Sequence, residues 1–153
     1  IKEDPPGWNN VKYDAWYGLV GPWCAAFISW VAMKVGWKFR YAYCPFVVAD
    51  AKAGRNGLAV VAGPSDCIFA LFDWERSKTS VADHIGVCIT EVTLRRLAPE
   101  ALKRAIKDYG KLGKTQFWSI EGNTAVGNDS NGGEVMLRKR SLIDVEAFVR
   151  LKA

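Results

Sequence analysis

Between Pro22 and Gly36 the chain reads WCAAFISWVAMKV, apolar almost all round and interrupted only by Ser29 and Lys34. Proline suits the first position of a helix, where its missing N–H is not needed, and glycine suits the stop, so the segment is predicted as one helix. A helix without a polar face has to be buried on most of its sides, as a central helix packed on a sheet is. With 153 residues, 50% of them hydrophobic, the chain has enough apolar surface to do this in a single domain. The same proportion excludes a disordered chain. No apolar run approaches the roughly 18 residues that cross a bilayer, so no membrane association is expected.

The remaining pattern is mostly strand-like. A short helical piece is predicted over residues 46–53, ended by the Gly54–Gly57 stretch. CIFALFDW (67–74) and HIGVCIT (84–90) are short, apolar and bounded by polar breaks, which favours strands. Residues 99–109 form a helix in which Leu102, Ala105, Ile106 and Tyr109 make one apolar stripe, with Pro99 at its start and Gly110 at its end. Residues 117–123 and 134–140 return to strand character across the turn-rich GNDSNGG, and 148–151 adds a last strand. One buried helix followed mainly by sequential strands predicts an α+β domain with an antiparallel sheet. There is no internal repeat or linker, so residues 1–153 are taken as one domain; its start at Ile, with no signal sequence, is expected of a piece of a longer protein.

Few residues are suited to chemistry. Cys24 lies in the first turn of the buried helix, where unpaired N–H groups and the positive end of the helix dipole favour a thiolate and an adjacent oxyanion. The ordinary alternative is a buried core cysteine. His84 is the only histidine and opens a strand after the polar stretch SKTSVAD, placed to act as a general base or simply as a satisfied histidine. A thiol enzyme needs a base and a group that orients it. Glu121 and Asn123, two residues apart on a strand, point to one face, and either could accept the imidazole N–H; turn chemistry around Gly122 is the alternative. Asp83 points away from His84 and is a poor orienter. Cys67 and Cys88 read as core residues and Cys44 as a turn residue before Pro45, none of them reactive or bridged. One histidine and no Cys-x-x-Cys pair argue against a zinc site. Serine-hydrolase elbows and phosphate-binding glycine loops are missing too, whereas a glycosidase-type carboxylate pair among sixteen acids stays open.

The formal net charge of +5 is local. Arg95, Arg96, Lys103, Arg104, Lys107, Lys111 and Lys114 face only Glu100 and Asp108 between residues 95 and 114, leaving the rest neutral. Such a segment, with Lys103, Arg104 and Lys107 at its centre, is either a solvated helix face or a site for an anionic wall polymer or nucleic acid. On the second reading the chain is a binding module whose Cys and His are structural.

Taken in order, PWCAAFISW, DHIGV and IEGNT resemble the cysteine- and histidine-dependent amidohydrolase/peptidase (CHAP) family. KEDPPGWNNVKYDAWYG is similar to the lead-in of phage-type members, SDCIFALFDW to their strand that opens with Gly-Asp, and GGEVMLRKR to the strand after the E-G-N-T loop, a match over roughly 110 residues. The resemblance implies a papain-like fold with the Cys-bearing helix packed on the antiparallel sheet. It implies Cys24 as nucleophile, His84 as base, Glu121 as third member and Asn123 as accompanying polar residue. It further implies hydrolysis of bacterial peptidoglycan at the muramoyl–L-alanine amide or within the stem or cross-bridge. The expected protein is a monomer without cofactor or nucleic-acid partner, made in the cytoplasm of a bacterium (phage-infected, for a lysin) and acting on the wall. Trp23, Trp74 and Trp118 flank motif residues and are candidate cleft walls or core. Three departures stand out: Asp14 alone remains of the acidic loop with which some members hold calcium, so no metal is expected; Ser65 replaces Gly before Asp66; and residues 91–116 form a basic helical insertion.

Overall fold

The computed structural model describes residues 1–76, 82–129 and 131–152. The apolar run forms α2, Cys24–Lys34. It begins two residues later than Pro22 predicts, because Trp23 is the N-cap and its carbonyl takes the first helical bond, from the Phe27 N–H at 2.9 Å. Its end is set as expected by Gly36, at φ +77°. There the Gly36 and Trp37 N–H groups donate to the Met33 and Ala32 carbonyls, the closing pair of a Schellman motif. Ser29, the buried polar break, is satisfied on both sides: its hydroxyl donates to the Tyr41 carbonyl and accepts the Tyr41 N–H, each at 2.8 Å.

Two further helices precede the sheet. α1 (Lys12–Tyr17), for which no element was predicted, lies in the lead-in, and α3 (Cys44–Lys52) starts at Cys44 with Pro45 in its first turn. Cys44 is thus a buried helix residue rather than a turn residue.

Six strands follow, β1 (Leu58–Val61), β2 (Phe69–Phe72), β3 (His84–Ile89), β4 (Gln116–Thr124), β5 (Glu134–Ser141) and β6 (Val145–Leu151). They form one antiparallel sheet in the order β1-β6-β2-β3-β4-β5. The domain is α+β. β1 escaped the sequence reading, and β6 starts before the predicted 148. β2 is buried throughout because both faces are covered. Phe69 and Leu71 join the core beneath α2 and α3, while Ala70 and Phe72 meet Phe117 and Phe148 on the other side. Cys88 belongs to that second core, but Cys67 is exposed at φ +64° ahead of β2, contrary to its expected core position.

The basic segment, expected to be helical over 91–116, holds two helices, α4 (Glu91–Leu97), whose own bounds had not been placed, and α5 (Pro99–Tyr109), as predicted. The Asp66 carboxylate anchors the start of α4, accepting the Thr90 N–H and the Thr93 hydroxyl at 2.6 Å each. Leu94, Leu102 and Ala105 pack on Trp118, which leaves Lys103, Arg104 and Lys107 exposed and Lys103 paired with Glu100 at 2.8 Å. Among the described residues no helix is long and apolar enough to cross a membrane.

Candidate active site

α2 lies across β3 and β4, and two glycines set how closely the site can assemble. At Gly122 a Cβ would stand 2.7 Å from Cβ of Phe27, so only glycine lets the first turn of α2 rest on β4. Gly86 is the register partner of Glu121, and a Cβ there would come within 2.7 Å of Glu121 Cγ and 2.0 Å of Ser119 Oγ. The space it leaves lets the Glu121 side chain lie over β3 and reach His84, two residues along on the same face.

His84 and Glu121 are fully buried, with Nε2 of His84 2.9 Å from Oε1 of Glu121. Glu121 also receives Nε of Arg140 on Oε2 at 2.8 Å and Nη2 of Arg140 on Oε1. Burial alone raises a carboxyl pKa, but Arg140 and His84 outweigh it and bring Glu121 down to about 2. An ionised carboxylate only accepts, so Nε2 of His84 carries a proton and donates it. Arg140 is itself held by Asp129, 2.8 Å from Nη1, and Arg138 reaches the same carboxylate at 2.9 Å.

The other imidazole nitrogen, Nδ1, is buried without a hydrogen-bond partner among the described residues. Beside the ring stands Cys24. Burial disfavours the imidazolium, yet Cys24 and Glu121 together raise His84 to about 9. Cys24 moves the other way, well below an ordinary thiol. The thiol of Cys44, with its sulfur 3.8 Å from that of Cys24, contributes most; His84 and the Ala25 N–H add to it against burial. Cys44 is pushed well above an ordinary thiol by the neighbouring sulfur and by burial, and the two sulfurs share one hydrogen bond. The site thus sets a thiol lowered by its neighbours beside an imidazole raised by its neighbours, with the imidazole held by a carboxylate that an arginine keeps charged.

The sequence-predicted residues divide accordingly. Cys24, His84 and Glu121 come together. Asn123 does not share the role of Glu121, because a bulge between Glu121 and Thr124 breaks the alternation and places Asn123 at φ +55°. Its amide accepts the Gly133 N–H and donates to Asn131 Oδ1, each at 3.1 Å, and so ties down the loop after β4. Asp83 accepts the Trp74 N–H at 3.1 Å, away from the imidazole as expected. Of the polar stretch before it, residues 77–81 lie outside the described residues.

Of the three tryptophans only Trp74 borders the site: it is half-buried, with its ring 6.0 Å from that of His84 and 4.7 Å from the Arg140 guanidinium. Trp23 is fully buried, stacked on Tyr13 with its indole N–H on Glu3 Oε1 at 2.7 Å. Trp118, an odd number of residues from Glu121, faces the opposite side of β4 and is covered by α4 and α5. Neither walls a cleft. Reading by residue type passed over Arg140, Gly86 and Cys44. The alternation of Arg138 and Arg140 on a strand next to a buried glutamate was the available signal for the first.

Among the described residues no three His, Cys, Asp or Glu side chains converge as a metal-binding group. All four cysteines are reduced. Compared with known proteins, the chain matches no family model and no curated sequence.

Proposed function

We propose that this chain is a CHAP-type, papain-like thiol hydrolase that cleaves an amide bond of bacterial peptidoglycan. The observation that carries the reading is the buried Cys24–His84–Glu121 constellation, with Cys24 opening a helix and the imidazole held from behind by Glu121 at 2.9 Å. A lowered thiol beside a raised imidazole suits acyl transfer, and the motif order supports the substrate class.

In this mechanism the Cys24 thiolate attacks the amide carbonyl, and N–H groups of the first turn of α2 receive the developing oxyanion. Nδ1–H of His84 protonates the leaving amine. The same nitrogen then takes a proton from water, which attacks the thioester and releases the acid. Glu121, clamped by Arg140, keeps Nε2 protonated and the ring aimed throughout. Trp74 closes the site beside His84. The exposed basic face of α5, with Arg104 and Lys107, supplies attraction to an anionic wall polymer.

The test is a zymogram on purified cell walls with wild type, Cys24→Ala and iodoacetamide-treated protein. Clearing by wild type alone, with mass spectrometry locating the new amine, supports the reading and names the bond. Clearing by a folded Cys24→Ala protein refutes the thiol mechanism, and wall binding without clearing by any form supports the binding module instead.

A further inference from the structure

The hydrolytic mechanism uses one of the two thiols at the site. The second forms no bond to substrate in that mechanism, yet stands beside the first. Cys24 and Cys44 open α2 and α3, both are buried and reduced, and their sulfurs stand 3.8 Å apart with no group between them in the hydrogen-bond pattern. The other two cysteines are elsewhere: Cys88 lies in the core on the far side of β2 and β3, and Cys67 is exposed ahead of β2.

We propose that Cys24 and Cys44 form an oxidisable dithiol, in which the sulfur of Cys24 is oxidised by a hydroperoxide and Cys44 closes the product to a disulfide. The proposal rests on Cys24 being a reactive thiolate, as in the function proposed above, but on no particular substrate.

The chemistry balances with hydrogen peroxide as the named oxidant. The Cys24 thiolate attacks one peroxide oxygen, forming an S–O bond as the O–O bond breaks. The departing hydroxide takes the proton of His84 Nδ1 and leaves as water. Sulfur has lost two electrons to the peroxide and is now a sulfenic acid. Cys44 then attacks that sulfur, forming S–S as S–O breaks, and its own proton leaves with the hydroxyl as a second water. Closing the sulfurs from 3.8 Å to the about 2.05 Å of a disulfide needs a movement within reach of two side chains at helix starts. A small-molecule dithiol reverses the bond by exchange. Cys24 is the sulfur beside His84, which supplies the proton to the departing hydroxide, so the first attack belongs to Cys24 and the resolving step to Cys44. The result is a nucleophile that oxidation locks reversibly, where an isolated thiolate would proceed to the irreversible sulfinic acid.

The experiment treats the whole chain with hydrogen peroxide and reads intact mass, the cysteine peptides and iodoacetamide incorporation at Cys24 before and after dithiothreitol. Expected for wild type are a loss of about 2 Da, a Cys24–Cys44 cross-linked peptide, and recovery of nearly all Cys24 alkylation after reduction. Cys44→Ser and Cys44→Ala, each compared with its own untreated sample and checked for folding, should instead gain about 32 Da at Cys24 and recover little. Wild type that gains oxygen at Cys24 with Cys44 still alkylatable, or links either to Cys67 or Cys88, overturns the proposal. These readouts need no cell wall. A cross-link in a protein that clears no walls therefore sinks the hydrolase reading and leaves the dithiol standing, and the reverse result does the opposite.

Discussion

Glu121→Gln tests the electrostatic design of the site while preserving its shape. Glutamine keeps an acceptor for Nε2 of His84, now at 2.9 Å from Oε1, but removes the negative charge. Two unit charges at that separation attract by about 6 kcal/mol at an effective dielectric constant near 20. Arg140 on the same carboxylate offsets part of this. The net outcome is seen in His84, raised from 6.5 to about 9 despite its burial. At about 1.36 kcal/mol per pH unit, that is on the order of 3 kcal/mol in favour of the imidazolium, shared between Glu121 and the Cys24 thiolate. Without the carboxylate, the Arg140 charge turns from support into repulsion. His84 should fall to its ordinary value or below, and the thiolate loses its counter-ion in turn. The apparent pKa of Cys24 should then rise.

The assay is the rate of iodoacetamide alkylation at Cys24, followed by peptide mass spectrometry over about pH 4 to 9. Wild type should stay reactive far below the usual thiol range, and the variant should lose that acid-side reactivity. Near-ultraviolet circular dichroism confirms that the compared proteins are folded. Superimposable profiles from two folded proteins would falsify the account, because the thiolate would then owe nothing to Glu121.

Two other substitutions probe the supports of the site. Gly86→Ala places a Cβ 2.0 Å from Ser119 Oγ and 2.7 Å from Glu121 Cγ. Overpacking of this kind costs about 1–3 kcal/mol, so the melting temperature should drop and the alkylation profile shift in the same sense as for Glu121→Gln. An unchanged profile would show that Glu121 reaches His84 without that space. Asp14 is buried, and burial, with the charges of Glu3 and Cys24 nearby, raises it from 3.8 to about 6. A carboxyl raised in the folded state stabilises nothing as an anion: stability declines as pH rises from about 4 to about 6 and stays lower above, by up to about 3 kcal/mol. Asp14→Asn should therefore melt higher than wild type at pH 7.5 and show no such gain at pH 4; equal melting at both would mean that the carboxylate carries no penalty.

The parts of this protein that were legible in the sequence are those governed by neighbours in the chain. An apolar run with Ser29 and Lys34 as its only breaks has one way to be buried, so the central helix, and Cys24 in its first turn, followed from periodicity and end signals. The α5 stripe followed in the same way, and the strand character of HIGVCIT put His84 at a strand start. The pairing of Cys24 with His84 and Glu121 came from motif order rather than from any local rule. Short elements without strong periodicity, α1 and β1, were missed because tertiary packing decides them.

Everything that depends on register was decided by the tertiary structure. One bulge after Glu121 separates it from Asn123, although both share a strand and an even spacing. Strand parity sends Trp118 under the basic helices, and the Glu3 carboxylate holds Trp23 inside, which leaves Trp74 alone beside the imidazole. Arg140 becomes the clamp on Glu121 because β5 pairs with β4. Cys44 becomes the neighbour of Cys24 because two helices begin side by side. The contacts of Trp23 with Glu3, Cys24 with Cys44 and Glu121 with Arg140 join residues about 20 apart, and short-range periodicity carries no information at that distance.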